Sequence, residues 1–142
     1  MEQKIDFVCA NAYDILSALT PIVPHDCSSN NNSSNNNNNN SSSGVSMVDA
    51  IILAPPWGGP DYNTHERFDM TTGFPSGDGY ELIRLAAQVS GNIVCVFPRN
   101  IDRGQVQSFA AQLEMDYLIE DIYLYAKHKM SIIYFNRFRD DT

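Results

Sequence analysis

The feature that most constrains this chain is Ala54-Pro55-Pro56-Trp57-Gly58-Gly59-Pro60-Asp61-Tyr62, set directly after the apolar run Ala50-Ile51-Ile52-Leu53. The apolar run reads as a buried strand. Two consecutive prolines must end it, because each fixes φ and lacks the N–H that a ladder or a helix would use. A stiff loop therefore follows the strand, at the edge of the sheet where ligands bind in open α/β folds. The Pro55 and Pro56 carbonyls are left to face a ligand, and Trp57 adds a flat π-face beside them. Main-chain acceptors next to an aromatic plate suit a planar base carrying an exocyclic amine. A core tryptophan in a structural turn is the competing reading. Gly58 and Gly59, which let backbone approach a ligand closely, favour the pocket.

A chain of 142 residues allows one ordinary domain, and residues 28–43 add nothing to its core. Those sixteen positions are only Ser and Asn. Without apolar side chains the tract cannot offset its ordering entropy, so a disordered insert is expected. Net charge is −8, which disfavours tracking a long phosphate backbone; any nucleic-acid contact is expected to be local. Cys9, Cys27 and Cys95, like His25, His65 and His128, show no metal-ligand spacing, so no metal is expected. No signal peptide and no apolar stretch of about 20 residues is visible. A soluble intracellular protein with no membrane partner is the expectation.

Residues 4–9 read as a strand, 12–19 as a short helix and 49–53 as the next strand. A long loop over 55–77 precedes a helix opened by Asp78 and Glu81 as a capping box. Leu82, Leu85, Ala86 and Val89 give that helix one apolar face. The unalternating run at 92–97 predicts a strand covered on both faces. Asp102 with Gln105 repeats the capping pattern before Val106, Phe109, Ala110 and Leu113. Residues 117–125 and 130–138 read as an antiparallel pair around Lys127-His128-Lys129. Strand–helix alternation closed by a hairpin is an α/β pattern.

The segment APPWGGPDY resembles the S/N-P-P-W-G-G-P-x-Y signature of the trimethylguanosine synthases, the RNA cap guanine-N2 methyltransferases. More distantly it is similar to the N-P-P-Y motif of amino-methyltransferases. Phe68-Asp69, Asp78-Gly79, Asn92-Ile93-Val94 and Phe97-Pro98-Arg99-Asn100 are similar to the same family in order and spacing. The resemblance implies a Rossmann-like sheet, S-adenosylmethionine as cofactor and 7-methylguanosine-capped RNA as partner. It implies conversion of the cap of snRNA and snoRNA to 2,2,7-trimethylguanosine, in the nucleus or also the cytoplasm. Main-chain oxygens at Ala54 and Pro55 would orient the guanine amine, with Asp61 the nearby carboxylate to test for a catalytic role. Trp57 would stack on the cationic base, Pro56 and Tyr62 would line its pocket, and Arg99 would pair with the cap phosphates. For Asp61 and Tyr62 a structural turn role stays open. Residues 4–16 resemble the strand that ends at the donor's adenine, which would set Asn11, Ala12 and Ala54 beside the cofactor.

This sequence departs from the family pattern in three places. Ala54 stands where a serine or asparagine is usual. Asn11 stands where an acidic residue meets the adenine amine. The eight glycines offer no strand-loop-helix arrangement suited to a glycine-rich donor loop, and three residues precede the first expected strand. Residues 1–142 are therefore expected to form the C-terminal part of one methyltransferase domain, a partial sheet lacking its first two strands. Alone, such a chain should bind the donor weakly and need the missing N-terminal half, in cis or as a partner. Two further readings stand beside it: a noncatalytic cap-binding remnant, and a methyltransferase for another planar amine, such as adenine N6 or a protein glutamine.

Overall fold

The computed structural model describes residues 8–19, 48–75 and 77–136. They form helices α1 (Ala12–Leu19), α2 (Gly79–Val89) and α3 (Arg103–Gln112), with strands β1 (Ile51–Leu53), β2 (Asn92–Pro98), β3 (Asp116–Leu124) and β4 (Lys127–Asn136). The strands make one sheet in the order β1-β2-β4-β3. β1 runs parallel to β2, and β4 is antiparallel to both its neighbours. The fold is mixed α/β with a terminal antiparallel pair. Of the strand expected at residues 4–9, only Val8 and Cys9 are described, exposed and outside any strand. The Ser/Asn tract lies outside the described residues.

One core holds these elements together. Ile93, Cys95 and Phe97 of β2 and Ile133 and Phe135 of β4 are buried with Leu82, Ile83 and Ala86 of α2 and Val106 and Phe109 of α3. Between them, Val94, Val96, Ile132 and Tyr134 are only partly covered. β2 is therefore covered fully on one face, not two as the unalternating run predicts. On the open face Ile52, Val94, Tyr134 and Leu118 pair in one row across all four strands. The continuous apolar run records a second apolar face, without a described element lying over it.

Both helix starts keep their N-caps and lose the reciprocal half of the predicted capping box. Asp78 accepts from the Tyr80 amide at 2.8 Å, but Glu81 turns to Arg84, which donates to its two oxygens at 2.7 Å. Asp102 accepts from the Gly104 and Gln105 amides, while Gln105 Oε1 accepts from the Met70 amide at 2.8 Å. In each case the longer side chain finds a stronger or less solvated donor than the cap amide.

The terminal hairpin differs in where it turns. Tyr125 and Ala126 have φ of 49° and 59°, the paired left-handed residues of a two-residue type I′ connection. Lys127-His128-Lys129 accordingly opens β4 rather than forming the loop. The sequence hides this turn because neither position is Gly or Asn. A register shift between Ile122 and Tyr123 pairs Met130 with the first and His128 with the second, so Lys129 is bulged out.

Candidate functional site

β1 and β2 are parallel and end at the same edge, one passing into Ala54 and the other into Arg99. The segment after Pro56 is ordered by its glycines: Gly58 and Gly59 adopt φ of 84° and 72°, and Gly59–Thr64 forms a 3-10 helix. That reversal brings Trp57 back over the sheet edge. Its indole N–H donates to the Val96 carbonyl at 3.1 Å. The Tyr62 ring meets it edge-on, at 5.6 Å and 80°. Trp57 is half-buried, and it forms a wall of a cleft of about 330 Å³ shared with Asp61, Tyr62, Arg67, Asp69 and Thr72.

A second frame holds the far wall of that cleft. The Phe68 amide donates to the Asn100 carbonyl at 2.7 Å, and the Asp102 amide donates to the Phe68 carbonyl at 3.1 Å. The Asn100 side chain then donates to the Tyr62 and His65 carbonyls at 2.9 and 3.0 Å. Asn100 thus staples the 3-10 helix to the turn after β2. Asp69 Oδ1 accepts from the Thr71 hydroxyl at 2.6 Å and from the Thr71 and Thr72 amides. These bonds, the hydroxyl's foremost, outweigh the opposing effect of burial and hold its carboxyl at about 2. A fixed, ionised carboxylate therefore shares a cleft with an anchored aromatic plate. That pairing suits a planar cation.

Across the Pro-Pro ledge lies a second cavity of about 420 Å³, bordered by Asn11, Ala12, Tyr13, Ala54, Pro55 and Pro56 among others. Tyr13 helps shape it by donating to the Asp78 carbonyl at 2.8 Å, which ties α1 to the start of α2. Asn11 Oδ1 accepts from the Tyr13 amide at 2.9 Å, leaving its N–H₂ and one lone pair for a ligand. The donor set suits one end of S-adenosylmethionine, a flat adenine against apolar atoms and an amide. Among the described residues the lining carries no charged side chain for a ribose or an amino-acid group. The fit is to the base only.

The residues singled out in the sequence divide between these two spaces. Asn11, Ala12 and Ala54 come together on the second cavity with Pro55; Trp57, Asp61 and Tyr62 come together on the first. Pro56 borders the second cavity rather than the space beside Trp57. Arg99 borders neither; it is exposed on the turn after β2 and forms no ion pair with a described residue. Asp61 is exposed, and its carbonyl accepts from the Thr64 hydroxyl at 2.7 Å. The sequence alone gives no role to Asp69, Arg67 or Asn100. The Asp69-Met70-Thr71-Thr72 spacing marks an Asx-type turn, yet nothing local says that the turn faces Trp57.

A Ser-His-Asp grouping also occurs on the hairpin, where His128 Nε2 lies 3.2 Å from Ser131 Oγ and 3.3 Å from Asp121. It is no nucleophile. Ser131 is fully buried, and its hydroxyl donates to Asp121 at 2.7 Å. No group of three or more His, Cys, Asp or Glu among the described residues could hold a metal ion, and no described helix is long and apolar enough to cross a membrane.

Over residues 2–137 the chain matches the family described as RNA cap guanine-N2 methyltransferase. The matched span holds the Pro-Pro-Trp ledge, both cavities and the hairpin. Membership implies capped RNA as substrate and S-adenosylmethionine as methyl donor. The chain belongs to the RNA cap guanine-N2 methyltransferases, the family of the trimethylguanosine synthases.

Proposed function

We propose that this chain holds the cap guanine for methylation at N2, in the nucleus, turning the 7-methylguanosine cap of snRNA and snoRNA into 2,2,7-trimethylguanosine. The observation that carries the reading is a single ledge between two cavities, with Trp57 fixed on one side and Asn11, Ala12 and Ala54 on the other. S-adenosylmethionine, when bound, supplies an electrophilic methyl group. The chain's own work is positioning. Main-chain oxygens of Ala54 and Pro55 accept the two amine N–H bonds, hold the nitrogen near-tetrahedral and aim its lone pair across the ledge. The same oxygens stabilise positive charge as it grows on nitrogen. The amine proton, acidified on alkylation, passes to water or to the exposed carboxylate of Asp61.

Selection of the capped base has two supports. Stacking of an N7-methylated guanine on Trp57 adds a cation–π gain of about 0.5–2 kcal/mol over a neutral base. The Asp69 carboxylate in the same cleft adds attraction of the same sign. Isothermal titration of the cap dinucleotide with and without the N7 methyl tests this; about 2- to 30-fold tighter binding of the methylated form is expected. Equal affinities would favour the reading as a methyltransferase for another planar amine.

The uncharged lining of the second cavity and the capping role of Asn11 favour one alternative, a noncatalytic cap-binding remnant. They also support the proposal that the donor's ribose and amino-acid end is held by a further half of the domain, in cis or on a partner. Donor-dependent methyl transfer to a cap analogue supports the methyltransferase, whereas cap binding with no heat on titration of the donor supports the remnant.

A further inference from the structure

We infer that the β3–β4 hairpin holds the RNA that follows the cap dinucleotide, with Arg99, Lys129 and Lys127 along the phosphates and Tyr125 stacked on a base. The inference rests on the cap reading above and extends it from the cap to the chain attached to it.

Register places the hairpin. β2 ends at Pro98 opposite Met130, and Ile122 shares that rung. Tyr123, Leu124, Lys127, His128 and the turn therefore project past the edge where the ledge and Arg99 lie. At about 3.3 Å per strand residue the overhang is roughly 7–10 Å, enough for one or two nucleotides. The bulged Lys129 immediately precedes Met130 and Arg99 immediately follows Pro98, so both leave the same rung toward this edge.

Charge is segregated to the same edge. Six of the nine Lys and Arg fall among the described residues. Arg84 lies on α2, paired with Glu81. The other five sit at the carboxyl edge of β1 and β2 or on the overhang, in a chain of net charge −8. Arg103 is taken by Asp121 at 2.7 Å, and Arg67 lies 3.8 Å from Asp102. Arg99, Lys127 and Lys129 are exposed and pair with no described residue. They run from the turn after β2 out along the hairpin.

Aromatic surface completes the pattern. Tyr125 is 91% exposed on a left-handed backbone that favours Asn or Gly, so its ring is not there for packing or for turn geometry. Tyr123, itself exposed, stacks on His128 at 5.1 Å and 25°. Unpaired cations beside exposed aromatic rings are the means by which proteins hold single-stranded nucleic acid.

The test is titration of the 142-residue chain with the cap dinucleotide, a capped ten-nucleotide RNA and the same RNA uncapped, at several salt concentrations. The variants are Lys127→Ala with Lys129→Ala, and Tyr125→Asn, which keeps a residue suited to the turn. Capped RNA should bind about 10-fold tighter than the dinucleotide. The double variant should make the salt slope shallower by about 1.4, and Tyr125→Asn should weaken RNA binding about 5- to 10-fold. Neither should alter dinucleotide affinity. Equal affinity for dinucleotide and capped RNA overturns the inference, as does loss of dinucleotide binding in the variants or no RNA binding at all. Variants that bind capped RNA like the parent overturn it too, and turn the aromatic tip toward a protein partner. Uncapped RNA bound as tightly as capped, and still weakened by the variants, keeps the hairpin and removes the cap reading.

Discussion

The indole N–H of Trp57 donates to the carbonyl of Val96 at 3.1 Å, across 39 residues of chain. That bond joins the loop after β1 to the neighbouring strand and fixes the plane in which a base can stack. Trp57→Ala should cost on the order of 1–3 kcal/mol of cap affinity. Trp57→Phe keeps a plate but loses the anchor, so it should fall between parent and Trp57→Ala. Calorimetric titration with cap analogue orders the three; Phe behaving like Ala would show that the flat face is not what binds.

Asn100 turns both N–H groups toward main-chain oxygens of the 3-10 helix region. Asn100→Ala should destabilise the fold by about 1–3 kcal/mol in urea, at about 0.5–1.5 kcal/mol for each of the two hydrogen bonds lost. Asn100→Asp should be worse at pH 7, since it faces a carboxylate toward two carbonyl oxygens. An aspartate variant as stable as the parent would mean that the staple is dispensable.

Two glycines in the same loop should respond differently to alanine. At Gly73 a Cβ would lie 2.5 Å from the Asp69 carbonyl and 2.7 Å from the Phe68 ring, so overpacking should cost about 1–3 kcal/mol and deform the cleft. At Gly59 a Cβ meets nothing within 4 Å, and only its left-handed φ opposes alanine, at about 1–2 kcal/mol. Thermal melts with cap titration separate the two: Gly73→Ala should lose cap binding more than Gly59→Ala for a similar loss of stability.

Acid should expose the carboxylate in the cleft. The Asp69 carboxyl is held at about 2, chiefly by the Thr71 hydroxyl, against an ordinary 3.8. A depressed folded value means its stabilisation is complete above about pH 4 and is lost as pH falls toward 2. Asp69→Asn should therefore flatten the fall in melting temperature between pH 5 and pH 2.5. Parallel curves for parent and variant would refute that assignment.

Deletion of residues 28–43 should leave stability and cap binding almost unchanged, because loop length enters the folding free energy only logarithmically. Chemical unfolding and cap titration of the shortened chain check this. A large loss in either would give the Ser/Asn tract a role beyond linking.

Much of this protein was legible in its residues alone, and the reason is locality. Pro55-Pro56 after an apolar run has to end a strand, Asp78 and Asp102 each have to cap a helix, and the helical stripes declare one face each. The Pro-Pro-Trp segment named the family because its chemistry is contiguous. What tertiary structure alone decided is what depends on distant partners. Gln105 went to the Met70 amide rather than back to its cap, Asp69 entered the Trp57 cleft while Asn100 braced the 3-10 helix from the turn after β2, and Pro56 faced the other cavity. The open sheet face and the tight turn at Tyr125 belong to the same class. A side chain's periodicity states which way it can point, but only the assembled neighbours settle what it meets there.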